Sequence, residues 1–230
     1  MNNLRGMLMS QGDEVLFSTR LKEVTKADHD EAEGSEFITT LMNGTRNSRD
    51  YVLLLSQYTY IYSALEVEVR ALVKDPDLAP IFDLRLERMS KIQADLDSLL
   101  PAHGLTDLPE PLPATQDYVR HIRAAADDPA RIVAHHYLRY LGDLSGGQII
   151  GRLVERHYGI APDDLSMWRF EGIDKHKPYK DEYRAKLNVY AVTPERVSSL
   201  LEEAAKGFTL NKALFRELLT QSQQSTSMSA

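Results

Sequence analysis

Apolar residues recur at intervals of three and four almost from end to end of this chain, and that spacing restricts it to helices. No stretch shows the strict alternation of a half-buried strand. The expected class is all-α: a single-domain, multi-helix fold over residues 13–219. Residues 1–12 are expected to be a flexible N-terminus and residues 220–230, "TQSQQSTSMSA", a disordered polar tail. At 230 residues the chain is long enough for one large domain or two small ones. No Pro/Gly/Ser-rich linker divides it, which favours one. The spacing predicts helices over about 13–33, 50–73, 81–100 (stopped by Pro101), 115–126, 129–158 and 177–190. A last helix comes after these, with Thr193 as N-cap and Pro194 in its first turn. Four prolines between 101 and 113 mark a loop.

Composition removes several function classes. The net charge of −7 gives no electrostatic case for nucleic acid or an anionic membrane. With no cysteine there can be no disulfide, thiolate metal site or cysteine nucleophile. No apolar run approaches the roughly 18–20 residues that span a bilayer, and no signal-peptide core is present. A cytoplasmic protein without a membrane anchor is the expectation.

The stretch "YLRYLGDLSGGQIIGRL", residues 137–153, is the least ordinary. It has helical apolar spacing, yet glycines stand at 142, 146, 147 and 151, each costing roughly 1 kcal/mol in a helix interior. Gly142 and Gly146 share a face. A helix bare on that face can receive a flat body against its backbone, or a neighbouring helix. Asp143 stands among the glycines, and a carboxylate there must be paired, hydrated or functional. Arg139, one turn earlier, is a possible partner.

Of the seven histidines, His29 has the most telling surroundings. Phe17, Leu21, Val24 and Ala32 form an apolar stripe, and His29 sits just beyond its edge. Lys22 lies on the same face, about 10 Å along the axis. Glu33, four residues on, is within reach of an imidazole N–H, as a carboxylate behind a metal-bound histidine usually is. Taken alone, the stretch also suits a boundary histidine among solvated charges. The tandem His135 and His136 are weak evidence for a second metal site, and Trp168 reads as a packing residue.

"YLRYLGDLSGGQ" resembles the distal-helix signature of haem oxygenases, and "LKEVTKADHDEAE" is similar to their proximal-helix segment. "YKDEYRAKLN" and "FTLNKALF" resemble two later haem-contacting stretches. The matches keep the family's order and cover about residues 20–219. The resemblance implies haem b, as substrate and cofactor, sandwiched between a proximal helix and a kinked distal helix. It implies His29 as iron ligand with Glu33 behind it. Gly142 and Gly146 correspond to the glycines that press on the ring. Asp143 corresponds to an aspartate acting through water on iron-bound O2, and Tyr62, Arg139 and Asn211 to its polar network. Lys22, Lys180, Arg184 and Tyr137 correspond to residues near the propionates, and Phe208 and Phe215 to the pocket wall.

The implied activity is oxidative cleavage of haem to biliverdin (IXα expected), carbon monoxide and ferrous iron. The chain has no nucleotide-binding glycine motif, so a separate electron donor is implied, a ferredoxin or an NAD(P)H-dependent reductase. A haem carrier or sensor on the same fold would not need the Asp143 network. A carboxylate-bridged di-iron oxidase would need paired Glu-x-x-His motifs, which the chain lacks.

Overall fold

The computed structural model describes residues 15–228; the expected flexible N-terminus, 1–12, lies outside them. Those residues form ten α-helices and no strand: α1 Phe17–Val24, α2 Lys26–Glu33, α3 Glu36–Met42, α4 Ser48–Leu72, α5 Met89–Ala102, α6 Pro113–Ala124, α7 Pro129–His136, α8 Gly142–Tyr158, α9 His176–Tyr190 and α10 Pro194–Met228. A single π-helical stretch, Tyr137–Leu141, joins α7 to α8.

Local chemistry fixes many of the ends. Asn47 accepts from the Asp50 amide while the Asp50 carboxylate accepts from the Asn47 amide, closing a capping box on α4. Pro113, Pro129 and Pro194 start α6, α7 and α10, where a missing N–H costs nothing. Gly159, at φ 66°, ends α8 in the left-handed region. The middle of the core is α4, whose Tyr51, Val52, Leu55, Ile61, Tyr62 and Leu65 are fully buried. It packs against α5 and α6, and α10 crosses α7 at Gly207. A β-carbon there would stand 2.4 Å from the Leu138 side-chain tip, so any larger residue would have to displace Leu138.

The structure departs from the sequence pattern in five places. The expected helix 13–33 breaks at Thr25, whose hydroxyl donates to the Leu21 carbonyl at 2.7 Å. The short helix α3 has no counterpart in the pattern. The third expected helix begins at Met89 rather than Ile81, because Glu66 of α4 accepts from the amides of Arg88 (2.6 Å) and Met89 (3.0 Å). That cap comes from another helix and leaves no local signal. Pro101 lies inside the last turn of α5 rather than beyond it. Finally, α10 continues through Met228, where polar composition suggests disorder from residue 220. Its extension is anchored at Ser222, which donates to Asp50 and accepts from Arg46 at 2.7 Å.

Between α7 and α10, the Glu203 carboxylate accepts from His135 Nε2 (2.7 Å), His121 Nε2 (2.6 Å) and Arg131 Nε (2.8 Å). The three ligand-type groups lie close enough for a cation, but the Arg131 guanidinium already supplies the positive charge. Burial alone would raise the Glu203 pKa; the bonds from His135 and Arg131 outweigh it and hold the pKa at about 2. A carboxylate depressed in the folded state stabilises above its unfolded pKa and stops doing so as pH falls through the folded one. The pH window is therefore about 4.5 down to 2. Glu203→Gln is expected to lower the neutral-pH melting temperature by several degrees, on the order of 1–3 kcal/mol. It should also flatten the acid side of the stability curve. Thermal melts between neutral and acid pH check both.

Candidate functional site

A cavity of about 430 Å³ opens between α2 on one side and the π-stretch with α8 on the other. Its walls carry Lys22, His29, Glu33, Tyr137, Arg139, Gly142, Asp143, Gly146, Arg184, Phe208, Asn211 and Phe215. Twelve of the fourteen residues singled out from sequence thus line one space. The other two reach it through wall residues, Tyr62 by donating to Asp143 and Lys180 by donating to Ser145. Sequence reasoning missed Ile38, which comes from α3, and Trp168, from an irregular segment. Ser145, also on the wall, stands three residues after Gly142 and is accessible to a helical wheel. A larger surface groove, about 1080 Å³, between α1 and the start of α10 contains none of the fourteen.

On the α8 side a chain of buried hydrogen bonds holds Asp143. Tyr62 donates to its carboxylate. Arg139 Nη2 donates to the Tyr62 hydroxyl at 2.9 Å, and Nη1 to Asn211 Oδ1 at 3.0 Å. Arg139 therefore reaches Asp143 through Tyr62, not by direct pairing within the helix. Its guanidinium also lies over the rings of Tyr58 (4.3 Å) and Tyr62 (4.7 Å), a favourable placement for a desolvated cation. Burial pushes the Asp143 pKa up, and Arg139 and Tyr62 offset part of that rise. The result is a carboxyl group at the cavity wall that holds a proton more readily than an ordinary aspartate.

On the opposite side His29 is half exposed at the cavity. Its Nε2 is 3.4 Å from Glu33 and its Nδ1 3.6 Å from Asp30. Glu33 is thus the nearer carboxylate, in keeping with its spacing, with Asp30 as a rival. Phe208 meets the imidazole edge-to-face at 6.0 Å between centroids. The ring is steadied on one side and open toward the cavity.

Two of the cations line the cavity and the third bonds a wall residue. Arg184 lines the cavity but is paired with Asp181 at 3.0 Å. Lys180 donates to Ser145 Oγ at 2.9 Å, so α9 is tied to α8 at the rim. Lys22 projects from α1 into the same cavity.

The four glycines of the distal helix separate into two kinds. A β-carbon on Gly142 would meet nothing within 4 Å, and one on Gly146 only Ile150 at 4.0 Å. These two face the open cavity. A β-carbon on Gly147 would stand 2.8 Å from the Trp168 ring, and one on Gly151 3.3 Å from Trp168 Cβ. Those two make room for Trp168, whose Nε1 donates to Tyr51 at 2.9 Å. The two glycines singled out from sequence, Gly142 and Gly146, are thus the pair at the cavity, while Gly147 and Gly151 serve packing.

The sequence matches the family described as "Heme oxygenase" over residues 15–217. Heme oxygenase 1 of Rattus norvegicus is 35% identical over 205 residues, 87% of this chain and 71% of that protein. A crystal structure of heme oxygenase-1 from the cyanobacterium Synechocystis in complex with heme superposes with a TM-score of 0.85 at 28% identity, covering 93% of this chain and 97% of that one. Heme oxygenase from Leptospira interrogans gives 0.80 at 32% identity, covering 88% and 99%.

The division of the glycines has opposite consequences for stability. Gly146→Ala should leave the melting temperature unchanged or raise it, because alanine gains about 1 kcal/mol in a helix and meets open space. Gly147→Ala should lower it by several degrees, since the new methyl overpacks Trp168 at a cost of about 1–3 kcal/mol. Calorimetric melting of the ligand-free proteins distinguishes the two.

Proposed function

The chain belongs to the heme oxygenase family, enzymes that degrade haem, and on that premise we propose that the cavity binds haem b with His29 on the iron and the Asp143 network on the opposite face. The observation that carries the reading is the pairing of a cavity-facing histidine with a buried, hydrogen-bonded aspartate across a gap that two glycines leave bare. The residues present fit a planar group, because Gly142 and Gly146 form a cradle that β-carbons would fill. When bound, haem supplies both the iron that takes up O2 and the ring carbon that is oxidised.

The chain's own residues supply position, protons and exclusion of water. Phe208 and Phe215 present apolar surface to the ring. Glu33, 3.4 Å from Nε2, orients the His29 imidazole. Asp143, fixed by Tyr62, is placed to anchor water and pass protons on the face opposite His29. Arg139 keeps Tyr62 pointed at Asp143, and Asn211 keeps Arg139 in place. The products are biliverdin, carbon monoxide and ferrous iron, and the electrons come from a separate ferredoxin or NAD(P)H-dependent reductase. No described helix is long and apolar enough to cross a membrane.

His29→Ala should still admit haem through the remaining walls, but its ferrous–CO spectrum should change and turnover should fall at least tenfold, with partial recovery on added imidazole. Asp143→Ala should bind haem with the unaltered proximal spectrum and lose most biliverdin formation under single-turnover conditions. A normal yield from Asp143→Ala removes the aspartate from the mechanism.

Lys22, Lys180 and Arg184, in or beside the cavity wall, would fix which way round the ring sits. Arg184, paired here with Asp181, would hold a propionate of the bound ring, since a guanidinium can engage a carboxylate with two donors. A tenfold preference between ring rotations needs only about 1.4 kcal/mol. The unmodified protein is expected to release mainly biliverdin IXα, and Lys180→Ala/Arg184→Ala a mixture containing β or δ isomer. Chromatographic separation of the isomers decides between these outcomes.

A further inference from the structure

The proximal helix is weakly held by its own sequence. It is eight residues long, carries no side-chain cap at Thr25, and buries only Ala32. Something outside it must set its roll about its axis, since rotation of α2 moves His29 directly. Helix α10 packs along it and supplies a lysine that bridges two of its carboxylates. Lys212 Nζ donates to Asp28 Oδ1 at 3.0 Å and to Glu31 Oε2 at 2.7 Å. The lysine side chain is only 19% exposed, and the two bonds, led by Glu31, raise its pKa. Two anchor points three residues apart fix the roll of a helix in a way one does not.

We infer that Lys212 is a positioning residue for His29, holding α2 at the roll that presents the imidazole to the cavity. This rests on the reading of His29 as iron ligand. Four carboxylates surround His29 in sequence: Asp28, Asp30, Glu31 and Glu33. Lys212 engages Asp28 and Glu31, and Lys26 engages Asp30. Among the described residues Glu33 alone of the four has no cationic partner other than His29. The lysines thereby hold three of the four carboxylates, Asp30 among them although it also lies 3.6 Å from His29 Nδ1. Lys212 also stands next to Asn211, which bonds Arg139, and lies one turn from Phe208, which abuts His29. One stretch of α10 therefore sets both faces of the cavity.

The test compares Lys212→Met, Lys212→Arg and Asp28→Asn/Glu31→Gln, the last removing the same bonds from the other side. In the ligand-free proteins, amide hydrogen exchange in residues 26–33 should quicken about fivefold in Lys212→Met and in the double variant, the effect of two modest ion pairs. Lys212→Arg should restore the unmodified rate. In the ferrous haem complexes, the iron–histidine stretching band in resonance Raman spectra should move in the same direction in Lys212→Met and the double variant. It should return in Lys212→Arg, and combining all three substitutions should add nothing. An unchanged band with quickened exchange makes Lys212 merely structural and overturns the assignment. Unchanged exchange, or global unfolding of either variant, overturns it equally. Absence of the band from the unmodified complex refutes His29 as ligand instead, a failure of the underlying reading that the exchange data on the ligand-free protein do not share.

Discussion

A carboxylate removed from bulk water is the constraint around which this fold is arranged. Asp143 is only 8% exposed, and an unpaired charge there would cost several kcal/mol. Its compensation comes from three other segments. Tyr62 belongs to the core helix α4, Arg139 to the π-stretch and Asn211 to α10. Each bond crosses an element boundary, so the network that keeps Asp143 tolerable also locks four segments together. Removing one member leaves a buried partner unsatisfied, which costs more than the bond itself contributes. The proposed catalytic network and tertiary order thus share the same atoms.

The cavity stands against the usual tendency of a core to fill. It persists because its walls are pinned from behind. Trp168, seated against Gly147 and Gly151, holds α8 from one side. Lys180 ties α9 to Ser145 of α8, and Gly207 lets α10 approach the start of the distal segment closely. Rigid packing outside the space allows bare backbone inside it. The helix that lines it accordingly contains glycines that leave backbone bare at the cavity beside glycines whose missing side chains make room for Trp168.

The sequence pattern discloses some of this and hides the rest for identifiable reasons. The all-helical class and the cavity residues on 22–33 and 137–146 are legible because their spacing is local and their neighbours in space are also neighbours in sequence. The distribution of glycines between cavity and Trp168 is not legible, because it depends on an irregular segment about twenty residues away. The start of α5 is hidden for the same reason: its cap, Glu66, belongs to another helix. Polar composition reads residues 220–228 as unstructured, and Ser222 contradicts that only once Asp50 and Arg46 are beside it. Lys212 gives no sign in sequence that it faces the proximal helix.

The π-stretch at Tyr137–Leu141 has a consequence for how this region can change. Such a turn amounts to one residue inserted into a regular helix, and the insertion sets the angular phase of α8 relative to α7. Upstream, His135 must point at Glu203; downstream, Asp143 must point at Tyr62. Both directions are met only with the extra residue in place. Deleting one residue from this stretch would give a continuous helix with better backbone hydrogen bonds. It would also turn one half against the other by about 100°. Either the ion cluster or the cavity aspartate would then face the wrong way, so single-residue insertions and deletions are excluded here even where substitutions are tolerated.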